Sequence, residues 1–92
     1  MSFVSLAFSS SAVRALSGMR EGDRGVVVEV RGKTAAQQAR AERLLALGVS
    51  AGARITVLQT FPGIVFLCDQ TELAVERSVA EFVLVRSEEN PS

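Results

Sequence analysis

Apolar and polar positions alternate over several short stretches of the chain, and only one stretch has helical spacing. Arg24-Gly25-Val26-Val27-Val28-Glu29-Val30-Arg31 reads as a strand. Val26, Val28 and Val30 share one face and Glu29 and Arg31 the other, with Val27 implying that the outer face is covered in part. Glu21-Gly22-Asp23 ahead of it is a turn, and Gly32 ends it. Thr34-Ala35-Ala36-Gln37 matches a capping box, in which the threonine oxygen accepts an N–H and the glutamine reaches back. Strong helix formers then run without Pro or Gly as far as Gly48. Ala41, Leu44 and Leu45 fall on one side of this helix, with Leu47 flanking them. Gly48 suits the left-handed position just past the last turn, and Val49 can pack back over it.

Ser50-Ala51-Gly52-Ala53 is the next turn, with Gly52 free to take a positive φ. Arg54 to Thr60 follows as a strand with Ile55 and Val57 inward, and Phe61-Pro62-Gly63 breaks it. Ile64 to Asp69 is a continuous apolar run, expected as a central strand buried on both faces. Glu72 to Glu76 alternates with Leu73 and Val75 inward, Arg77 to Glu81 suits one 3₁₀ turn, and Phe82 to Arg86 is the last strand. Five short strands with one α-helix between the first and second predict a mainly-β fold. A sheet this short covers its edges best by closing into a small barrel. The expected organisation is an N-terminal extension at 1–15, a barrel domain at 16–86 and a loose polar tail at 87–92.

Composition narrows the chemistry. The 92 residues suit one domain. Ten basic and ten acidic side chains give a net charge of zero, without the cationic excess that nucleic-acid or anionic-membrane binding needs. There is no histidine, so the usual general base and nitrogen metal ligand are missing, and one cysteine makes no internal disulfide. The apolar stretch in 1–15 is too short to span a bilayer, and its only basic side chain, Arg14, follows the apolar residues where a secretory signal would have one ahead. These features point to a cytoplasmic, non-enzymatic protein without a cofactor.

The ordered pieces also resemble a known family. Gly-Asp-Arg-Gly-Val-Val-Val-Glu-Val at 22–30 is followed by Arg-Leu-Leu-Ala-Leu-Gly-Val-Ser-Ala-Gly at 43–52 and Ile-Thr-Val-Leu at 55–58. Thr-Glu-Leu-Ala-Val-Glu at 71–76 and Val-Leu-Val at 83–85 complete a pattern similar to the FeoA family of bacterial ferrous-iron uptake. The resemblance implies an SH3-like β-barrel, like the C-terminal domain of DtxR-type iron regulators. It also implies an accessory role beside FeoB, a membrane permease with a cytosolic GTPase domain. The chain departs from the family in carrying Ala51 where a proline is usual. It also has only Phe61-Pro62-Gly63 where a longer loop usually joins the second and third strands.

Candidate partner-binding residues lie in two places. Phe61, Pro62, Gly63 and Ile64 form a hairpin, whose aromatic either stands out as an anchor or folds back to plug the barrel end. Arg40 and Arg43, three apart on the polar side of the helix, either meet acidic groups of a partner or simply keep the helix soluble. Gly22, Gly48 and Gly52 are the structural turn positions. Cys68, within an apolar run, is expected as a small core residue. Metal binding enters only by family association: Asp69, Glu72 and Glu76 are carboxylates without an imidazole, and no dedicated iron site is expected.

The leading expectation is a docking module for FeoB, with no nucleic acid bound and no direct membrane insertion. The alternative is an iron-repressor-type interaction domain acting without FeoB. An RNA-binding barrel would want lysine-rich loops, but Lys33 is the sole lysine, and no phosphate-binding G-x-x-x-x-G-K-[ST] motif is present. Exposed edges and the apolar N-terminal arm leave homo-oligomers open.

Overall fold

Backbone pairing, more than side-chain alternation, decides where the strands of this chain begin and end. The structure, a computed structural model, describes residues 12–88. Most of the expected N-terminal extension (1–11), with its suggested swapped arm, and the end of the polar tail (89–92) lie outside the described residues. Among the described residues six strands form, one more than expected: β1 (Val13–Ala15), β2 (Arg24–Val30), β3 (Arg54–Gln59), β4 (Ile64–Cys68), β5 (Thr71–Val75) and β6 (Val83–Glu88). They make one antiparallel sheet in the order β1-β6-β2-β3-β4-β5. β1 is only three residues long, too short for alternation to reveal. It is held by pairing Val13 with Arg86 and Ala15 with Leu84, and the Ser87 N–H donates to the Ala12 carbonyl at 2.9 Å. The sheet thus takes in Val13–Ala15 from the expected extension and Ser87 and Glu88 from the expected tail.

The inward face of β2 is the reverse of the one expected. Gly25 and Val27 are buried, while Val26, Val28 and Val30 are half-buried. The reason is a β-bulge: Val27 lies opposite Val85 but Glu29 lies opposite Leu84, so Val28 is an extra residue on β2. The bulge shifts the parity of the strand, keeping Glu29 out of the core and letting Val30 pack against it. A second bulge on β3 has the same effect at Leu58, since Val57 faces Phe66 and Gln59 faces Val65. Ile55 and Val57 point inward as expected. Both bulges raise the local twist, which helps so short a sheet to curl around one core.

The run from Ile64 to Cys68 sits next to edge strand β5, not at the sheet centre. Ile64, Phe66 and Cys68 are buried and Val65 and Leu67 only half-buried, so one face of β4 is partly wet. On β5, Leu73 and Val75 are half-buried against the core.

Helix α1 (Ala35–Ala46) connects β2 to β3. Its capping box is complete: the Gln37 N–H donates to Thr34 Oγ1 at 3.1 Å, and the Thr34 N–H to Gln37 Oε1 at 3.4 Å. At the other end the Val49 N–H donates to the Leu44 carbonyl at 2.9 Å and the Gly48 N–H to the Leu45 carbonyl at 3.0 Å. This is a Schellman ending, with Gly48 at φ +101° and Val49 buried over the last turn. The buried stripe is narrower than expected. Leu44 is buried and Ala41 half-buried, but Leu45 and Leu47 are 58% and 51% exposed. A single turn, α2 (Arg77–Ala80), precedes β6 and packs against the 3₁₀ turn at Leu16–Gly18. The core is wholly apolar among the described residues, built around Phe66, Leu16, Ile55, Ile64 and Val83.

Candidate docking surfaces

The β3–β4 hairpin presents the aromatic that the sequence singles out. Phe61 is 79% exposed, more than any other large apolar side chain among the described residues, so it stands out and does not plug the barrel. Pro62 beside it is exposed, after a cis peptide bond. The tip is held from below. Gln59 Nε2 donates to the Phe61 carbonyl at 3.0 Å. Arg77, on α2, donates from Nη2 to the Thr60 carbonyl at 2.8 Å and from Nη1 to the Ser17 carbonyl at 3.3 Å. Ile64 is fully buried and opposite Val75, so it anchors the hairpin in the core and offers no surface. Gly63 lies so close to β5 that a Cβ there would sit 3.0 Å from the Val75 carbonyl oxygen.

Arg40 and Arg43 are exposed on α1 and lie on one stripe with Leu47, at positions i, i+3 and i+7. The stripe forms one wall of a groove of about 310 Å³, whose other wall is Ala74 and Val75 at the end of β5 and Glu76 at the start of α2. Leu44 and Val79 also line the groove. The Ile64–Val75 pair therefore links the two groups of candidate residues: Phe61-Pro62-Gly63 leads into one partner, and the arginine groove contains the other.

The opposite flank of α1, with Ala41 and Leu45, borders a larger groove of about 530 Å³. This groove opens because β3 pairs with β2 only from Arg24 to Val26, leaving the later half of β2 without a strand on that side. Its walls include Val28, Val30 and Val49. Helix α1 is thus wetted on both flanks, each ending in an exposed leucine.

Charges on this surface are sparsely paired. Among the described residues the ion pairs are Arg31 with Glu29 and Arg54 with Glu88, the latter at 3.3 Å. Neither Arg40 nor Arg43 takes part. The carboxylates considered for a cation do not gather: among the described residues no three acidic or cysteine side chains come together as a metal site. Asp69 Oδ1 instead accepts the Arg54 N–H at 3.3 Å, in a turn where Asp69 has φ +56°. Cys68 is buried, and its thiol donates to the Gly48 carbonyl at 3.4 Å. Burial, and secondarily the Asp69 charge, pushes that thiol's pKa up, which keeps it protonated and a poor nucleophile. Gly22 and Gly52 adopt φ +90° and +95° at their turns, as Gly48 does past the helix.

Sequence reasoning missed Leu47, Glu76 and Arg77 as parts of these surfaces. Leu47 carried a signal, since it completes the Arg40–Arg43 stripe one turn on. Glu76 and Arg77 carried none, because their places depend on how α2 meets the hairpin.

Comparison with known proteins accounts for this architecture. The FeoA domain pattern matches residues 14–87. No curated protein matches the chain significantly. Among solved structures, the iron uptake regulatory protein FeoA is 33% identical, with a TM-score of 0.69 over 83% of this chain and 97% of that one. FeoA from Stenotrophomonas maltophilia, solved with zinc, is 27% identical, with a TM-score of 0.70 over 77% of this chain and 87% of its own. It is described as a prokaryotic SH3 domain protein and a suggested activating factor of bacterial ferrous iron transport. A manganese-dependent transcriptional repressor shares the fold at 22% identity and a TM-score of 0.70, with 84% of this chain matching 42% of the repressor. The six curled strands and one long helix among the described residues are accordingly an SH3-like fold. Among the described residues no helix is long and apolar enough to cross a membrane. With the family pattern spanning nearly all the described residues and a FeoA protein a third identical over the same fold, the chain belongs to the FeoA family, small domains associated with ferrous iron transport.

Proposed function

We propose that this chain is a cytosolic, non-enzymatic accessory protein of ferrous iron uptake that docks on the cytosolic part of a FeoB-type permease and modulates it. The observation that carries the reading is Phe61: a large aromatic, 79% exposed, on a hairpin pinned from below by Arg77 and Gln59. An aromatic held out on a braced loop gives up little conformational entropy on binding, and such residues commonly dominate interface energies. Iron is the cargo of the system and not a ligand of this reading.

The experiment is a binding titration of the full chain against the purified cytosolic domain of the permease, comparing wild type, Phe61→Ala and Arg43→Glu. Loss of about 2 kcal/mol or more for Phe61→Ala is expected of a central anchor. Wild-type affinity in both variants removes the hairpin and the helix from the interface. Absence of any binding by the wild type removes the permease as partner.

The fold likeness to a manganese-dependent repressor favours a second reading, an iron-repressor-type interaction domain working without FeoB. Under that reading the wild type captures a DNA-binding regulator and ignores the permease domain.

A further inference from the structure

We propose that the chain's own leading segment is the occupant of the larger groove beside α1: Val4, Leu6 and Phe8 lie across the outer face of β1, β6 and β2 and run into that groove. The inference stands apart from the docking reading and from any partner.

The surface is an apolar track. Val83 and Val85 are buried, so Leu84 between them faces outward on β6. On β2, Val26 and Val28 likewise flank the buried Val27. All three outward side chains are only half-buried, and Val13 on β1 is 47% exposed. The track thus starts beside Ala12 and crosses three neighbouring strands. It continues into the groove of about 530 Å³ at Val28, Val30 and Leu45, the last 58% exposed. Glu29 and Arg31 at the groove pair with each other, and Glu42 is exposed on the side of α1 away from buried Leu44. An uncharged apolar occupant suits such walls, because a charged one would lose its hydration without a partner.

The same chain supplies that occupant. No charged side chain occurs in residues 1–11, and Val4, Leu6 and Phe8 alternate with Ser5, Ala7 and Ser9. Extended, such a segment has one apolar face for the track and one small, polar face for water. Ser9-Ser10-Ser11 separates the apolar residues from Ala12 and suits the reversal that brings the segment back over the sheet. The length is sufficient. Ala12 accepts from Ser87, which is opposite Gly25, so Val30 lies two strands across and five residues along. That is about 19 Å at ordinary strand spacing and rise, against about 26 Å for an extended chain from Val4 to Ala12. The FeoA pattern begins at residue 14, so this segment is additional to the family domain. A second copy or a partner's segment would have to displace a tethered one, whose effective concentration is on the order of millimolar. Phe61 and the Arg40–Arg43 flank of α1 lie outside this track.

The test uses the full chain carrying Val4→Cys with Ser50→Cys, a residue of the groove wall, and a short flexible bismaleimide. Native Cys68 is buried and adds little labelling. Val4→Cys with Ser78→Cys, on α2, is the control. Cross-linking within one chain is expected at least about tenfold faster for the groove pair than for the control pair. Adding Leu6→Asp to the groove pair should remove that advantage. Methyl NMR gives a second measurement: Phe3→Leu/Phe8→Leu removes two aromatic ring currents and keeps the apolar character. Methyl signals of Val26, Val28 and Leu84 should shift in that variant, while those of Ile55 and Val57 in the core stay in place. Equal rates for the two pairs, or unchanged outer-face methyls, overturns the proposal. Links formed between chains in place of links within one overturn it in favour of a second copy's segment. No arm of the test contains the permease domain, so the docking reading stands or falls separately.

Discussion

Arg77 and Thr60 are joined by a 2.8 Å hydrogen bond from a guanidinium nitrogen to a carbonyl oxygen, and the same guanidinium reaches the Ser17 carbonyl at 3.3 Å. One side chain on α2 thereby ties the base of the β3–β4 hairpin to the turn that follows β1. Both carbonyls lie where the chain leaves regular pairing, so the arginine satisfies groups that would otherwise depend on water. Arg77→Met keeps the aliphatic stem and removes the donors. Because the contacts are exposed, it should cost only about 0.5–1.5 kcal/mol in urea denaturation. Amide exchange should accelerate selectively around Phe61 and Gly63. Arg77→Lys should not restore protection, since one ammonium lacks the fork that spans two carbonyls.

Gly25 has no room for a side chain. A Cβ there would lie 2.5 Å from both the Arg86 carbonyl oxygen and Val85 Cγ1, atoms of the strand against which β2 is paired. Gly25→Ala must push β2 and β6 apart, at a cost of about 1–3 kcal/mol or more. A midpoint of thermal unfolding lowered by at least about 5 °C is the expected readout. Gly18→Ala is the control, because nothing lies within 4 Å of a Cβ at that position. An equal effect at both positions would mean that the close approach to β6 is not the cause.

The helix is the element whose details were most legible. Thr34, Gln37, Gly48 and Val49 all act through neighbours in sequence, so their roles follow from spacing. Thr34→Ala should cost about 1 kcal/mol and Thr34→Ser very little, measured by chemical denaturation. Strand faces were less legible. Val28 is indistinguishable in sequence from Val26, and only the pairing with β6 makes it a bulge that reverses the face on which Val27 lies. Leu45 and Leu47 matched the apolar stripe, yet helix–sheet geometry buries only Leu44 fully. At the docking surfaces, Phe61 was visible as an aromatic in a turn, and Arg40 with Arg43 as a pair on the helix. That the Ile64–Val75 pair links the two depends on tertiary register, which no local pattern encodes.

Cys68 should give the protein an alkaline limit. Burial first, and the Asp69 charge second, raise the thiol pKa above its ordinary 9.0 in the folded state. The unfolded chain therefore releases this proton at lower pH than the native one. Stability from this group is fully present below pH 9.0 and falls as pH climbs from there through the raised folded value. Cys68→Ala should lose about 1 kcal/mol at neutral pH through the vacated volume and show a shallower alkaline decline. Urea midpoints measured on either side of the ordinary thiol pKa test this, and parallel curves for the two proteins would refute it. Native Cys68 should also resist a thiol reagent that labels it rapidly in urea.

Two phenylalanines separate folding from docking. Phe66 is fully buried at the centre of the core, opposite Val57 and Leu73 on the neighbouring strands. Phe61 lies five residues earlier in the chain, on a hairpin tip that leaves its ring in solvent. Phe66→Ala should cost about 3–5 kcal/mol, enough to unfold much of a small domain at ordinary temperature. Phe61→Ala should stay within about 0.5 kcal/mol of wild type, because its ring has little burial to lose. If the exposed ring is a partner's anchor, its removal lowers affinity while leaving the denaturation curve in place, and a milder core variant such as Ile55→Val does the opposite. A large stability loss from Phe61→Ala would mean that the ring supports the hairpin itself, and the interface would then have to be sought in the arginine groove.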